Sequence, residues 1–347
     1  MTEASRARKH EPRKAPVTAG GKGPTTSAMI ASLTAEGYET IHAPFGHALV
    51  ELARRDERIV GLTADLGKYT DLHVFAEAMP GRFYQMGMAE AVLMSAAAGL
   101  AREGFMPFAT TYAVFAARRA YDFIAMAIAE ENLPVRIVCA LPGLTTGYGP
   151  SHQATEDLAI FRGLPNLTIV DPCDAVDIAQ MVPAIAAHDG PVYCRLLRGR
   201  VPVVLTRHKP DYRFELGRAQ MIRDGRDVLV IATGLMTMRA LDAAVKLAQD
   251  GIGVAVLHVP TIKPLDRATI LEEAGKCGRL VVTAENHTVV GGLGEAVATT
   301  LLTAGVTPAF RMIGLPDAFL EAGALPTLHD MYGISTDRVA AQIRAWL

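Results

Sequence analysis

From Ala28 onward the chain alternates short apolar runs with amphipathic ones. Ile59–Thr63, Arg136–Leu141, Leu167–Val170 and Pro191–Leu196 are mostly apolar and short, the pattern of strands buried on both faces. Segments 90–103, 113–131 and 174–187 carry helical spacing. A polar stretch from about Thr206 to Asp224 interrupts the pattern, which then restarts with strands at Val228–Ala232, Val254–Val259 and Leu280–Ala284 and helices near 235–250, 266–276, 291–304 and 334–346. Short apolar strands separated by helices predict parallel sheets covered on both faces. The expected fold class is therefore α/β, with two doubly wound domains and mostly parallel sheets. The boundaries read as a disordered tail over 1–26, a first domain over 27–205, a linker over 206–224 and a second, smaller domain over 225–347. The tail is basic, polar and rich in Gly and Pro, and cannot bury enough apolar surface to offset its ordering entropy.

Ligands of open α/β sheets sit beyond the C-terminal ends of the strands. Asp65, Glu90, Thr111 and the Gly143–His152 loop all fall there. Glu90 stands just after a short strand, at the mouth of an apolar helix (Val92, Leu93, Met94, Ala97, Leu100). A carboxylate so placed loses part of its hydration, which suits a group asked to share a proton with a neutral heterocycle. An acid in a first helical turn also complements the helix N-terminus, and both readings stand on this segment alone.

Charge and cysteine usage narrow the partners. Lys plus Arg total 34 against 36 Asp plus Glu, so no broad basic field for nucleic acid exists and small-molecule chemistry is favoured. The four cysteines, at 139, 173, 194 and 277, are isolated and read as buried thiols of a reducing cytoplasm. No apolar run approaches the roughly 18 residues of a membrane span, and the basic N-terminus lacks the apolar region of a signal peptide, so a soluble cytoplasmic protein is expected.

The pattern Gly87-Met88-Ala89-Glu90-Ala91 resembles the segment of the transketolase group of thiamin-diphosphate enzymes that carries the cofactor-activating glutamate. The resemblance continues in order through Pro107–Tyr112, Gly149-Pro150-Ser151-His152-Gln153, Asp171-Pro172-Cys173-Asp174 and Gly190-Pro191, reaching from about Ile41 to the C-terminus and weakening after Leu205. It implies that Glu90 donates a hydrogen bond to a ring nitrogen of the cofactor's aminopyrimidine, favouring the tautomer whose imino nitrogen takes the thiazolium proton. It places Tyr112 and Phe115 on the aromatic pyrimidine pocket, with Arg118 replacing a further aromatic and Tyr121 as a substitute wall. Aromatics at helical spacing are also ordinary core. His152 falls on a histidine that contacts the substrate's oxygens, and Arg198 on a phosphate-binding arginine. His42 and Tyr69 stand where the family has a second phosphate-binding arginine and a serine. Tyr148, also expected at the substrate, replaces an acid that reads a sugar hydroxyl. Asp65 matches an element near the cofactor and subunit contact, and also suits a turn cap. Glu285-Asn286-His287 with the glycines at 291, 292 and 294 reads as tight packing and intersubunit contact.

The family holds the cofactor's diphosphate through a metal on a Gly-Asp-Gly motif, which this sequence lacks. The resemblance is therefore to the C-terminal subunit of a split transketolase. It implies thiamin diphosphate as cofactor, Mg2+ (or Ca2+) held by an N-terminal diphosphate-binding partner subunit, a dimer of heterodimers, and ketol transfer between sugar phosphates, with no metal on this chain. The turn Leu66–Asp71 and the run Thr145–Tyr148 are similar to subunits acting on the apulose type of pentose phosphate. The neighbouring readings are the β subunit of a 2-oxoacid dehydrogenase first component, a deoxyxylulose-phosphate-synthase-like enzyme, and a non-catalytic partner-binding scaffold.

Overall fold

The computed structural model describes residues 37–276 and 278–347; the expectations for 1–26 and for the residue at 277 lie outside them. The first sheet has seven strands in the order Thr261–Lys263, Thr168–Val170, Val192–Leu196, Arg136–Ala140, Met106–Tyr112, Ile59–Thr63 and Phe83–Gln85. All pairings are parallel except that of Thr261–Lys263, which joins the edge antiparallel. The second sheet runs Phe310–Leu315, Leu280–Thr288, Val228–Ala232, Val254–His258 and Gln220–Arg223, with the last strand antiparallel. Inner strands such as Ile59–Thr63, Arg136–Ala140 and Val228–Ala232 are buried at every position, as sheets covered on both faces require. The fold is thus the expected pair of parallel-sheet α/β units.

Two features depart from the expected elements. The helix expected over 113–131 is broken into Ala113–Arg119, Tyr121–Phe123 and a π-helical segment Ile124–Ala129, because Ala120 leaves helical geometry at φ −117° and ψ 8°. The two antiparallel edge strands are too short to carry a hydrophobic period. Gln220–Arg223 arises within the polar stretch read as a linker, and Thr261–Lys263 crosses from the second half of the chain to the first sheet.

The halves are tied by buried charge. The fully buried Arg195 donates from Nε to Asp157 Oδ2 at 2.9 Å, from Nη1 to Asp171 Oδ2 at 3.0 Å and from Nη2 to the carbonyl of Asn286 at 2.9 Å. His258 Nε2 meets Asp177 Oδ2 at 2.9 Å, and the Tyr212 hydroxyl donates to the other oxygen of Asp177 at 2.6 Å. Glu285 accepts from the Leu293 and Gly294 amides at 2.6 and 2.8 Å, capping the helix Leu293–Thr303. A side chain at Gly292 would collide with that carboxylate, so the glycine run serves packing. Cys139, Cys173 and Cys194 are buried free thiols whose pKa burial pushes up. Among the described residues no helix is long and apolar enough to cross a membrane.

Candidate active site

Because neighbouring strands of the first sheet are parallel, their C-terminal ends deliver Asp65, Glu90, Tyr112, the Gly143–His152 loop and Arg198 to one side. Glu90 opens the helix Glu90–Arg102 after a tight turn in which Ala89 N–H donates to Gly87 O at 2.7 Å and Gly87 takes φ +72°. Its carboxylate is buried, 5% exposed. The surround is not wholly apolar: Arg119 Nη1 donates to Glu90 Oε1 at 3.1 Å. This partner was not foreseen from the sequence.

Four expected site residues meet as one aromatic cluster. The rings of Tyr112 and Phe115 are 5.7 Å apart, and His152 lies edge-on to Tyr112 at 6.1 Å, to Phe115 at 5.4 Å and to Tyr148 at 5.5 Å. Burial, helped by the Arg119 charge, lowers the His152 pKa and favours its neutral ring, whose Nδ1 is 2.9 Å from Ser151 Oγ. Tyr121 is elsewhere: it stacks on Phe161 and does not replace the missing aromatic wall. Arg118, standing where that aromatic would be, instead ties down the loop, bonding Glu156 and donating from Nη1 to Pro150 O at 2.8 Å.

A second group lies around Arg198. Its Nε and Nη2 are buried with no hydrogen-bond partner among the described residues, and its guanidinium carbon is 5.5 Å from the Tyr69 ring centroid. The Tyr112 hydroxyl is pushed up by burial and feels Arg198, Tyr69 and Tyr148, which links this group to the aromatic cluster. His42 sits in the ribbon strand Thr40–His42, paired to Arg200–Pro202, and its ring is 6.2 Å from His73. His73 Nδ1 is likewise buried without a partner among the described residues. Asp71 accepts from Gly199 N–H at 3.1 and 3.0 Å, and burial pushes its pKa up to about 6. Sequence reasoning gave no role to His73 and named Asp71 only as the end of the Leu66–Asp71 turn. Asp65 stands apart: exposed, at φ +59°, it exchanges hydrogen bonds with Gln85 (2.7 and 3.1 Å) and caps no helix.

The second half of the chain buttresses the loop that carries His152. Leu144 N–H donates to Asn286 Oδ1 at 2.9 Å, Gly323 N–H to Gly147 O at 3.0 Å, and Gln153 Nε2 to Glu321 O at 3.1 Å. Gly143, at φ +57°, leaves no room for a side chain against the Asn286 carbonyl. His329 Nε2 donates to Leu144 O at 2.7 Å while Nδ1 faces Arg239 Nη2 at 3.3 Å, so the ring is a neutral bridge. Burial, then the Arg239 charge, lowers its pKa to about 4 from an ordinary 6.5. The sign follows: below pH 6.5 the unfolded chain takes up a proton that the fold refuses, so this contribution to stability is lost as pH falls from about 6.5 to 4. His287, also lowered to about 4 by burial, shares the limb. Urea unfolding of His329→Gln, whose amide can both donate and accept, is expected to show an acid limb shallower by up to about 1.4 kcal/mol per pH unit. An unchanged slope would remove His329 from the titration.

The parallel-sheet α/β pair thus brings a buried carboxylate, an aromatic cluster and an arginine with two nitrogens unpartnered among the described residues to one set of strand ends. The chain matches the transketolase pyrimidine-binding domain over residues 40–203 and the transketolase C-terminal domain over 217–339. It is 71% identical over 324 residues to a putative uncharacterized transketolase family protein of Sinorhizobium fredii, covering 93% of each chain. It is 41% identical to a 6-deoxy-6-sulfo-D-fructose transketolase subunit of a Clostridium species, covering 84% of this chain and 89% of that one. A solved structure of a split-gene transketolase, an inactive β4 tetramer, superposes with a TM-score of 0.79 at 42% identity, covering 88% of this chain and 98% of that one. The chain belongs to the transketolase family and is a subunit of the split type, built from domains of a thiamin-diphosphate-dependent family.

Proposed function

We propose that the chain, paired with a diphosphate-binding subunit, transfers a two-carbon ketol unit between anionic sugars. The carrying observation is that Tyr112, Phe115 and His152 meet at the strand ends, that Arg119 joins Phe115 to the buried Glu90, and that Arg198 keeps two buried nitrogens with no partner among the described residues. The residues suit an aminopyrimidine, since a single planar guanidinium, that of Arg119, spans the Phe115 face and the Glu90 carboxylate. Thiamin diphosphate, when bound, supplies a nucleophilic thiazolium carbon. Glu90 holds the proton that bonds the pyrimidine ring nitrogen, and Tyr112 and Phe115 offer their ring faces. Neutral His152 bonds substrate oxygens near the reacting carbon, with Tyr148 beside it. Arg198 pairs the distal anion through its planar fork, assisted by His42 and Tyr69. Asp65, exposed with Gln85, is assigned to the cofactor and partner side. Mg2+ (or Ca2+) is assigned to the partner, the assembly is a dimer of heterodimers, and its compartment is the cytoplasm. The division between the two units falls within the 206–224 stretch, ahead of Gln220–Arg223, which pairs in the second sheet.

Reconstitution with the partner carrying Gly-Asp-Gly tests this reading. Product analysis should show ketol transfer from an anionic ketose across a panel of ketose phosphates, a sulfonated ketose and 2-oxoacids. Carbon dioxide release from a 2-oxoacid without ketol transfer would favour the dehydrogenase reading, and no turnover of any kind the scaffold. In the active assembly Arg198→Met is expected to lower kcat/KM for the anionic ketose by about 10- to 100-fold, the worth of a charge-assisted hydrogen bond, and to spare a neutral ketose such as erythrulose. Equal losses on both substrates would make Arg198 structural.

A further inference from the structure

The helix Ala113–Arg119 ends in two arginines with different bonds. Arg118 is committed to the loop, through Glu156 and the carbonyls of Pro150 and Gln153. Arg119 is not held in this way. Its side chain is 54% exposed, its guanidinium carbon lies 3.9 Å from the centroid of the Phe115 ring, and its Nη1 reaches Glu90 Oε1 at 3.1 Å. One flat, delocalised group thus covers the aromatic face and engages the buried carboxylate at once. An aminopyrimidine, also flat and delocalised, needs the same face and the same carboxylate, and two planar groups cannot share one ring face on the same side.

We propose that Arg119 is a latch on the pyrimidine slot: it competes with the cofactor's aminopyrimidine for the Phe115 face and for Glu90, and must swing out for the cofactor to seat. This rests on the reading of Glu90 and Phe115 as the pyrimidine site. The exchange also reverses the role of Glu90. A guanidinium has only donors, so the carboxylate accepts from Arg119, whereas it must donate to a pyrimidine ring nitrogen. The latch therefore holds Glu90 in the arrangement opposite to the one the cofactor needs. Exposure of the Arg119 side chain lets it leave toward solvent without unpacking the core, and it keeps the hold modest, since half-exposed ion pairs and cation–π contacts are individually weak.

Calorimetric titration of thiamin diphosphate into the assembled enzyme tests the latch. Arg119→Ala is expected to bind the cofactor about tenfold more tightly than the wild type, the combined worth of one ion pair and one cation–π contact. Arg119→Lys, which keeps the charge without the planar fork, should fall between. In an Glu90→Gln background, where the carboxylate is gone, the gain from Arg119→Ala should shrink. A residue that merely supported the slot would weaken binding when removed, so equal or weaker affinity in Arg119→Ala overturns the latch. No binding by the wild-type assembly would instead sink the reading of the site, and the latch with it. Thermal unfolding of Arg119→Ala with and without cofactor separates a folding defect from a change in affinity.

Discussion

Replacing Glu90 with glutamine is expected to slow exchange of the cofactor's thiazolium proton by two to four orders of magnitude in the assembled enzyme. The magnitude is that of a positioned acid–base group, about 10²–10⁴-fold. Glutamine keeps the shape of the buried side chain and can still donate a hydrogen bond, but it has no proton to give up and take back. Cofactor affinity should change much less than the exchange rate. Loss of the Arg119 ion pair, at 3.1 Å, works in favour of binding, while loss of the charge-tunable hydrogen bond works against it. Hydrogen–deuterium exchange followed by NMR reads the rate directly and is blind to substrate steps. A rate equal to that of the wild type would leave Glu90 as an ordinary helix-start acid, and its catalytic assignment would be withdrawn.

The largest expected effect on stability is at Arg195. Arg195→Met should cost about 3–5 kcal/mol in urea unfolding, the range for breaking a buried charge pair by removing one partner. The reason is geometric. Arg195 is 1% exposed and neutralises two carboxylates, Asp157 and Asp171, which are themselves buried. Burial works against the arginine's charge, but the carboxylates outweigh it and raise its pKa. Methionine fills much of the volume and leaves both acids without a cation. Because Nη2 also holds the Asn286 carbonyl, and Asn286 holds Leu144, the defect should reach the loop bearing His152. A loss below about 1 kcal/mol, the range of exposed pairs, would mean that water or rearrangement compensates the site.

The strands were legible because their burial leaves a local trace. Val228–Ala232 is apolar throughout and Ile59–Thr63 all but its last residue, and their ends agree with the observed strands. The segment 113–131 was legible as one continuous helix. Its breaks at Ala120 and at the π-helical segment follow from packing, and alanine-rich sequence has no residue that marks them. The two antiparallel edge strands are pairings of three or four residues, shorter than any period that can be read.

For the candidate site, Glu90, Tyr112, Phe115, His152 and Arg198 stood out as residues at strand ends within motifs, and the parallel sheet brings those ends to one side. The sequence by itself determined the α/β class, because burial on both faces demands apolar runs at strand length whatever the sequence neighbours. It determined the family as well, through motifs kept in order. Tertiary structure alone decided what touches what. Arg119 and Glu90 are 29 positions apart, Arg195 and Asn286 are 91 apart, and the Leu144 to Asn286 bond spans 142. Such contacts leave no periodicity in the chain, since a hydrogen bond between distant residues constrains their separation in space and not their spacing in sequence. The same physics explains why a solvent-facing arginine beside another arginine gave no sign that one holds a loop and the other lies across an aromatic ring.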